Sequence, residues 1–470
     1  MLLEFAVVLS ASIFGSLSDV SSGSGHGYSV VAETNSPLLG TPAAIFAPGR
    51  TEVSVNPAAF PYRSLVAAPA PVAGARLASL SGTPLLQQLG LMSESAVGSF
   101  VGGNPETVTR LLAAPPAAKE VSRWWTGLGE PERSALLSGA PQVVGSLDGV
   151  PAEKRSVANR SWIEQSRSHL ETTIASSSGR AILEESRRRV HMLQEIESVL
   201  GATGTGPARG LLSVDPSGQG RAAVVLGDLA TADYVTYVIP GMFFTVEGQI
   251  GDWTDDAARV YDEQVEWLRA IGRIDTVQRT KTVAVVAWMG YETPNLTNIG
   301  SIELAEKGRD AIARAVEGLQ AERAGDLPYI SVIAHSYGST AALMALTEYN
   351  FSVDALAVVG SPGSAAQSVD DLHVRNGNVW VGEAAWDPVP NSAYFGSDPG
   401  ADSYGAHRLN VDGGIDSVTK KVLTASIGHN GYFGAGSESV RNLALIGIGQ
   451  SQLVTDGSKS DHEKTLALVK

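Results

Sequence analysis

Five short apolar runs recur in the second half of the chain, at residues 234–239, 283–288, 329–334, 355–359 and 379–383. Helical patterns separate the first four. Ala257, Tyr261, Val265 and Leu268 fall on one helical face, as do Ala305, Gly308, Ile312, Ala315 and Leu319, and a further helix runs through residues 340–347. Apolar residues spaced three and four apart mark a helix with one buried side. Strands alternating with such helices predict a mainly parallel sheet covered on both faces, because parallel neighbours need crossover connections. Ahead of them, residues 211–214 and 222–226 flank Asp215-Pro216-Ser217-Gly218-Gln219-Gly220 and predict an antiparallel hairpin.

Residues 83–201 carry helical signals instead, including Asn104 and Pro105 as a helix start and a long charged stretch over 162–200. The Ser-, Gly-, Ala- and Pro-rich beginning predicts a loosely ordered leader. The expected organisation is a leader over 1–82, a helical accessory region over 83–205, an α/β catalytic domain over 206–450 and a tail over 451–470. Gly204-Thr205-Gly206-Pro207-Ala208-Arg209 has Arg209 where a dinucleotide loop needs its third glycine, and it reads as a linker.

In open parallel sheets, sites lie beyond the carboxyl ends of strands. One such end bears Ala334-His335-Ser336-Tyr337-Gly338-Ser339, followed directly by the helix over 340–347. A serine on a sharp strand-to-helix turn needs small residues two places before and after it, where the two backbones come close. Ala334 and Gly338 meet that need. Ser336 is therefore the expected nucleophile, and the neighbouring His335 is expected to pack rather than to serve as base. Four histidines follow Ser336: His373, His407, His429 and His462. His429, in the glycine-flanked stretch Ile427-Gly428-His429-Asn430-Gly431-Tyr432, is the preferred base, with His407 the alternative. Asp387 follows a strand and is held in Trp386-Asp387-Pro388, which favours it as the acid over Asp412 or Asp416. The turn Pro240-Gly241-Met242-Phe243-Phe244 predicts a backbone N–H from Met242 that, with that of Tyr337, would face an oxyanion. Phe243 and Phe244 are candidates for an apolar substrate pocket.

These pieces resemble a family of predicted α/β-hydrolases, chiefly actinobacterial, long held as a domain of unknown function. The likeness runs from about Trp124 to Gly447. It rests on Trp124-Trp125-x-x-Leu128, Gly145-Ser146-Leu147-Asp148-Gly149-Val150-Pro151 with Arg155 and Asn159-Arg160, and Pro240-Gly241-Met242. It continues through His335-Ser336-Tyr337-Gly338-Ser339, Gly360-Ser361-Pro362-Gly363, Asp387-Pro388-Val389 and His429. Ala334 stands where members usually have glycine. The resemblance implies an α/β-hydrolase fold and a Ser336, Asp387, His429 triad.

The expected activity is cleavage of an ester or related acyl bond in a small-molecule substrate through an acyl-enzyme. A binding scaffold on a hydrolase fold, or an acyltransferase using the same residues, is the alternative. A net charge of −15 opposes binding to nucleic acid or anionic lipid. The absence of cysteine removes thiolate chemistry, and no metal or nucleotide motif indicates a cofactor. Glu4 interrupts the apolar start and no Lys or Arg precedes Arg50, so a cytoplasmic location is expected over secretion. No stretch reaches the roughly 18 apolar residues of a membrane span.

Overall fold

The computed structural model describes residues 74–177, 179–201, 206–272, 281–390 and 392–458, all within one compact unit. Helices come first: α1 (Gly74–Leu77), α2 (Gly82–Leu89), α3 (Glu94–Gly103), α4 (Pro105–Ala113), α5 (Ala118–Gly127), α6 (Glu130–Gly139), α7 (Pro141–Ser146), α8 (Ala152–Ser176) and α9 (Arg180–Gly201). They are followed by β1 (Arg209–Asp215), β2 (Arg221–Gly227), β3 (Tyr234–Ile239), α10 (Val246–Gly272), β4 (Val283–Met289), α11 (Glu303–Glu322), β5 (Tyr329–His335), α12 (Tyr337–Glu348), β6 (Ala355–Val359), β7 (Val379–Gly382), β8 (His407–Arg408), the small hairpin β9 (Gly414–Ile415) and β10 (Val422–Leu423), and α13 (Glu438–Gly447). No helix among the described residues is long and apolar enough to cross a membrane.

The main sheet has the order β1-β2-β4-β3-β5-β6-β7-β8. The β1–β2 and β2–β4 pairs are antiparallel, and the remaining pairs are parallel. This is the hairpin plus parallel sheet that the sequence predicts.

Strand periodicity explains how the sheet is covered. Successive side chains point to opposite faces, so Ala284, Val286 and Trp288 of β4 join one core with Ile330, Val332 and Ala334 of β5. Helices α11 and α12 seal that face through Ile312, Val316, Ala341 and Ala345. Val285, Ala287 and Met289 point the other way, into a core closed by α10, α13 and the buried sides of α8 and α9. Trp253 anchors α10 there by donating its indole N–H to the Val238 carbonyl at 3.1 Å.

The helices α1 to α7 have an apolar core of their own, with Leu86, Val97, Leu111, Val121, Trp125 and Val144 buried together. The Gly145 to Asn159 motif fastens this layer to the sheet. Asn159 is buried and donates from Nδ2 to the Gly145 and Leu211 carbonyls, each at 3.0 Å. Arg155 pairs with Asp148 at 2.8 Å, and the Ala152 N–H donates to Glu322 on α11. The Asn104 side chain does not cap α4. It donates backwards to the Phe100 carbonyl of α3 at 2.8 Å, because the two helices meet at this residue.

The first and the last of the described residues pack against the rest of the unit. Leu77, within the stretch expected to be loose, is buried against the helical core. Residues 451–458, expected as a tail, are bound to the domain: Leu409 pairs with Asp456, and Thr455 donates to Glu438 at 2.6 Å. The leader through residue 73, Gly204 and Thr205 of the linker, and residues 459–470 lie outside the described residues.

Candidate active site

At the end of β5 the chain turns so abruptly that Ser336 adopts φ 55° and ψ −131°, a region non-glycine residues rarely enter. The turn is held from several sides. The Ser336 N–H donates to the Val359 carbonyl of β6 at 3.0 Å, and the Ser339 hydroxyl donates to the Ser336 carbonyl at 2.5 Å. A Cβ at Gly338 would collide with the Pro240 carbonyl oxygen, and one at Gly241 would lie 2.5 Å from the Ser336 Cβ. Two loops and a helix start thus meet where only glycine fits.

Ser336 Oγ stands 2.7 Å from His429 Nε2. On the other side of the ring, His429 Nδ1 is 2.9 and 3.0 Å from the two Asp387 carboxylate oxygens. An ionised carboxylate only accepts, so Nδ1 carries the proton and Nε2 is free to accept the serine hydroxyl's. Ser336 is 3% exposed, His429 2%, and the Asp387 side chain is fully buried. Burial would raise the Asp387 pKa, but hydrogen bonds from His429, Tyr432 and the Val389 N–H together hold it below the ordinary aspartate value.

None of the other candidates among the described residues reaches Ser336. His407 is exposed and lies against Trp380, His373 is exposed and donates to the Tyr349 carbonyl, and His462 lies outside the described residues. Asp412 is exposed, whereas Asp416 is buried in a 2.7 Å ion pair with Arg441.

The Pro240 to Phe244 loop backs directly onto Ser336 through Gly241. It is braced by the segment after β4: Tyr291 donates to the Pro240 carbonyl at 2.8 Å, the Phe243 N–H donates to Pro294 at 3.0 Å, and Thr293 donates to Phe244 at 3.0 Å. The same segment is tied to Tyr337, whose hydroxyl donates to Ser301 at 2.6 Å and accepts the Ala305 N–H at 2.9 Å. Tyr337 opens α12, so its backbone N–H has no helical carbonyl to bond. Phe243 packs with Met242, Ile299 and Val389. Phe244 is taken up by the core, its ring edge-on to Trp253 at 4.9 Å. Consecutive residues in a bent loop point apart, which separates the two phenylalanines.

Two residues at the site escaped assignment to these roles from sequence. Tyr432 donates its hydroxyl to Asp387 Oδ2 at 2.6 Å. His335 is buried and donates from Nε2 to the His429 carbonyl at 2.7 Å. Its pKa is pulled down to about 3, chiefly by burial and secondarily by the facing His429, so the ring is neutral. The short spacing in His429-Asn430-Gly431-Tyr432 was the one available signal for Tyr432. For His335 the sequence indicated only that it packs.

Residues 215–397, a stretch that includes Ser336 and Asp387, match a family model described as alpha/beta hydrolase. Two uncharacterized proteins of Mycobacterium tuberculosis, from strains CDC 1551 / Oshkosh and ATCC 25618 / H37Rv, are each 27% identical over 400 residues, covering 75% of this chain. The chain spans 59% of the length of these relatives. Among solved structures, an S-formylglutathione hydrolase from Agrobacterium tumefaciens aligns at 12% identity and TM-score 0.31, over 54% of this chain and 98% of that one. A carboxyl esterase from the fungus Tuber melanosporum aligns at 10% identity and TM-score 0.31, over 54% and 89%. With its mainly parallel eight-stranded sheet flanked by helices and its match to the family model, the chain has the α/β-hydrolase fold.

Proposed function

We propose that the protein is a serine hydrolase that cleaves an ester or related acyl bond through an acyl-enzyme. The observation that carries this reading is the continuous hydrogen-bonded row from Ser336 through His429 to Asp387. Ser336 Oγ attacks the acyl carbon as its proton passes to His429 Nε2, and Asp387 steadies the imidazolium through Nδ1. The C–O bond to the leaving group then breaks, and His429 returns the proton to the departing oxygen. Water, deprotonated by the same imidazole, attacks the acyl-serine; the acyl bond to Ser336 Oγ breaks, Oγ takes the proton back from His429, and the acid is released.

Negative charge on the carbonyl oxygen is to be met by the backbone N–H groups of Met242 and Tyr337. Their loops adjoin Ser336 and are braced by one segment, which supports that role. Because Ser336 and His429 are almost wholly buried, these dipoles act in a medium that damps them little. Phe243, packed beside Met242, is the better placed of the two phenylalanines to meet an apolar part of the substrate.

Treatment with a fluorophosphonate tests the reading. The serine oxygen displaces fluoride from phosphorus, so the wild-type protein gains the probe's mass on Ser336, and Ser336→Ala loses labelling by about a thousandfold or more. Equal labelling of the two proteins, or none of the wild type, excludes this function.

A further inference from the structure

The chain from His429 to Phe433 closes into a 3₁₀ turn over Gly431–Phe433, which folds Tyr432 back beneath the imidazole it follows. The Tyr432 ring is completely buried. Its hydroxyl accepts the Ala384 N–H at 2.9 Å and lies 2.6 Å from Asp387 Oδ2. Ala384 N–H only donates and the ionised Asp387 only accepts, so the phenolic hydrogen has a single direction, toward the carboxylate.

Asp387 is thereby held by three donors. His429 Nδ1–H lies between its two oxygens, the Val389 N–H donates to Oδ1 at 3.0 Å, and the Tyr432 hydroxyl donates to Oδ2. A carboxylate removed from water needs such partners to stay ionised. Without Tyr432, Oδ2 would keep only a share of the His429 proton, and the carboxylate would lose the one donor that holds Oδ2 alone. Gly360, at φ +61°, makes the arrangement possible. A Cβ there would lie 2.9 Å from Asp387 Oδ2, 3.0 Å from the Tyr432 ring and 3.1 Å from His429 Cε1.

We propose that Tyr432 is a positioning residue of the reaction: it fixes the Asp387 carboxylate, and through it the orientation of His429, by one hydrogen bond that also shares the carboxylate's charge. The inference rests on the serine-hydrolase reading and adds a fourth side chain to it. The titratable groups that face Tyr432 are Asp387, His429 and His335, with Glu383 beyond them paired to Arg408 at 2.9 Å.

Tyr432→Phe in the full chain keeps the ring and removes the bond. Second-order rates of fluorophosphonate labelling are measured from pH 5 to 9 for wild type, Tyr432→Phe and Ser336→Ala, each corrected for its folded fraction. The Tyr432→Phe rate is expected to fall about 10- to 100-fold, the range for losing a hydrogen bond to a charged group. Its acid limb is expected to move to higher pH, because a carboxylate that no longer shares its charge favours the imidazolium more strongly. A fluorotyrosine installed at position 432 has a more acidic phenol, donates more strongly and should move the limb the other way; it also serves if the phenylalanine variant does not fold. An unchanged rate, or an acid limb that neither replacement moves, overturns the proposal while leaving the hydrolase reading intact. Equal labelling of wild type and Ser336→Ala overturns both.

Discussion

His335 stands one place before Ser336, yet its imidazole serves the opposite side of the site by holding the His429 carbonyl. Its folded pKa, about 3, lies below the ordinary histidine value of about 6.5. Between those values the unfolded chain binds a proton that the folded chain refuses. This contribution to stability is therefore fully present above pH 6.5 and is lost as pH falls toward 3, at about 1.4 kcal/mol per pH unit. His335→Gln preserves an N–H donor and removes the titration. Urea unfolding at pH 7 and pH 4.5 should show the variant losing less stability on acidification than wild type, and a difference independent of pH would refute the assignment. Gly360→Ala probes the same cluster by steric means. Its methyl would press on Asp387, Tyr432 and His429 together from a backbone conformation that disfavours any side chain, so fluorophosphonate labelling should slow at least tenfold with the fold retained by circular dichroism.

Two connecting elements bear on how the site is held. The segment between β4 and α11 grips the Pro240 to Phe244 loop and the Tyr337 hydroxyl. Tyr291→Phe would leave the Pro240 carbonyl without that donor, at a cost of about 1–3 kcal/mol in urea unfolding. Its labelling rate should fall by more than the loss of folded protein explains; a rate that follows the folded fraction alone would remove the brace from the mechanism. The stretch bearing β9 and β10, which leads into the His429 loop, is pinned differently. Asp416 accepts the Val418 N–H at 2.8 Å and pairs with Arg441 of α13, whose guanidinium also lies over the Trp267 ring. Both charges are buried, so Asp416→Ala strands a cation and should cost about 3–5 kcal/mol. Glu184→Ala, which breaks the exposed pair with Arg180, should change stability by under about 1 kcal/mol. Similar losses for the two variants would contradict the burial argument.

At the scale of the whole described unit, the helical layer and the sheet are interlocked rather than strung together. Asn159 reaches from α8 to both the Gly145 carbonyl of α7 and β1, and α11 is bonded to the start of α8 through Glu322. Thermal unfolding followed by far-UV circular dichroism and by tryptophan fluorescence should therefore give coincident transitions, since Trp124 and Trp125 report on the helical layer and Trp253, Trp267 and Trp288 on the sheet and its cover. Separate transitions would mean that the layer melts alone.

What the sequence determined by itself was whatever repeats along the chain or sits beside its cause. The strands of the sheet were legible because alternate side chains enter two cores, and their near-continuous apolar runs follow from burial on both faces. The turn at Ser336 was legible because strand, small residues and helix are consecutive, and Asp387 and His429 stood out because each lies in a short loop after or before a regular element. Tertiary structure alone decided that Asp416 belongs to Arg441, that Phe244 belongs to Trp253 while Phe243 stays beside Met242, and that Tyr432 and His335 hold Asp387 and the His429 loop. Each depends on hydrogen bonds or ring contacts between distant residues or on the direction a loop side chain takes. Neither leaves a period in the sequence, because the partner is chosen by where the folded backbone brings two groups within about 3 Å in the absence of competing water.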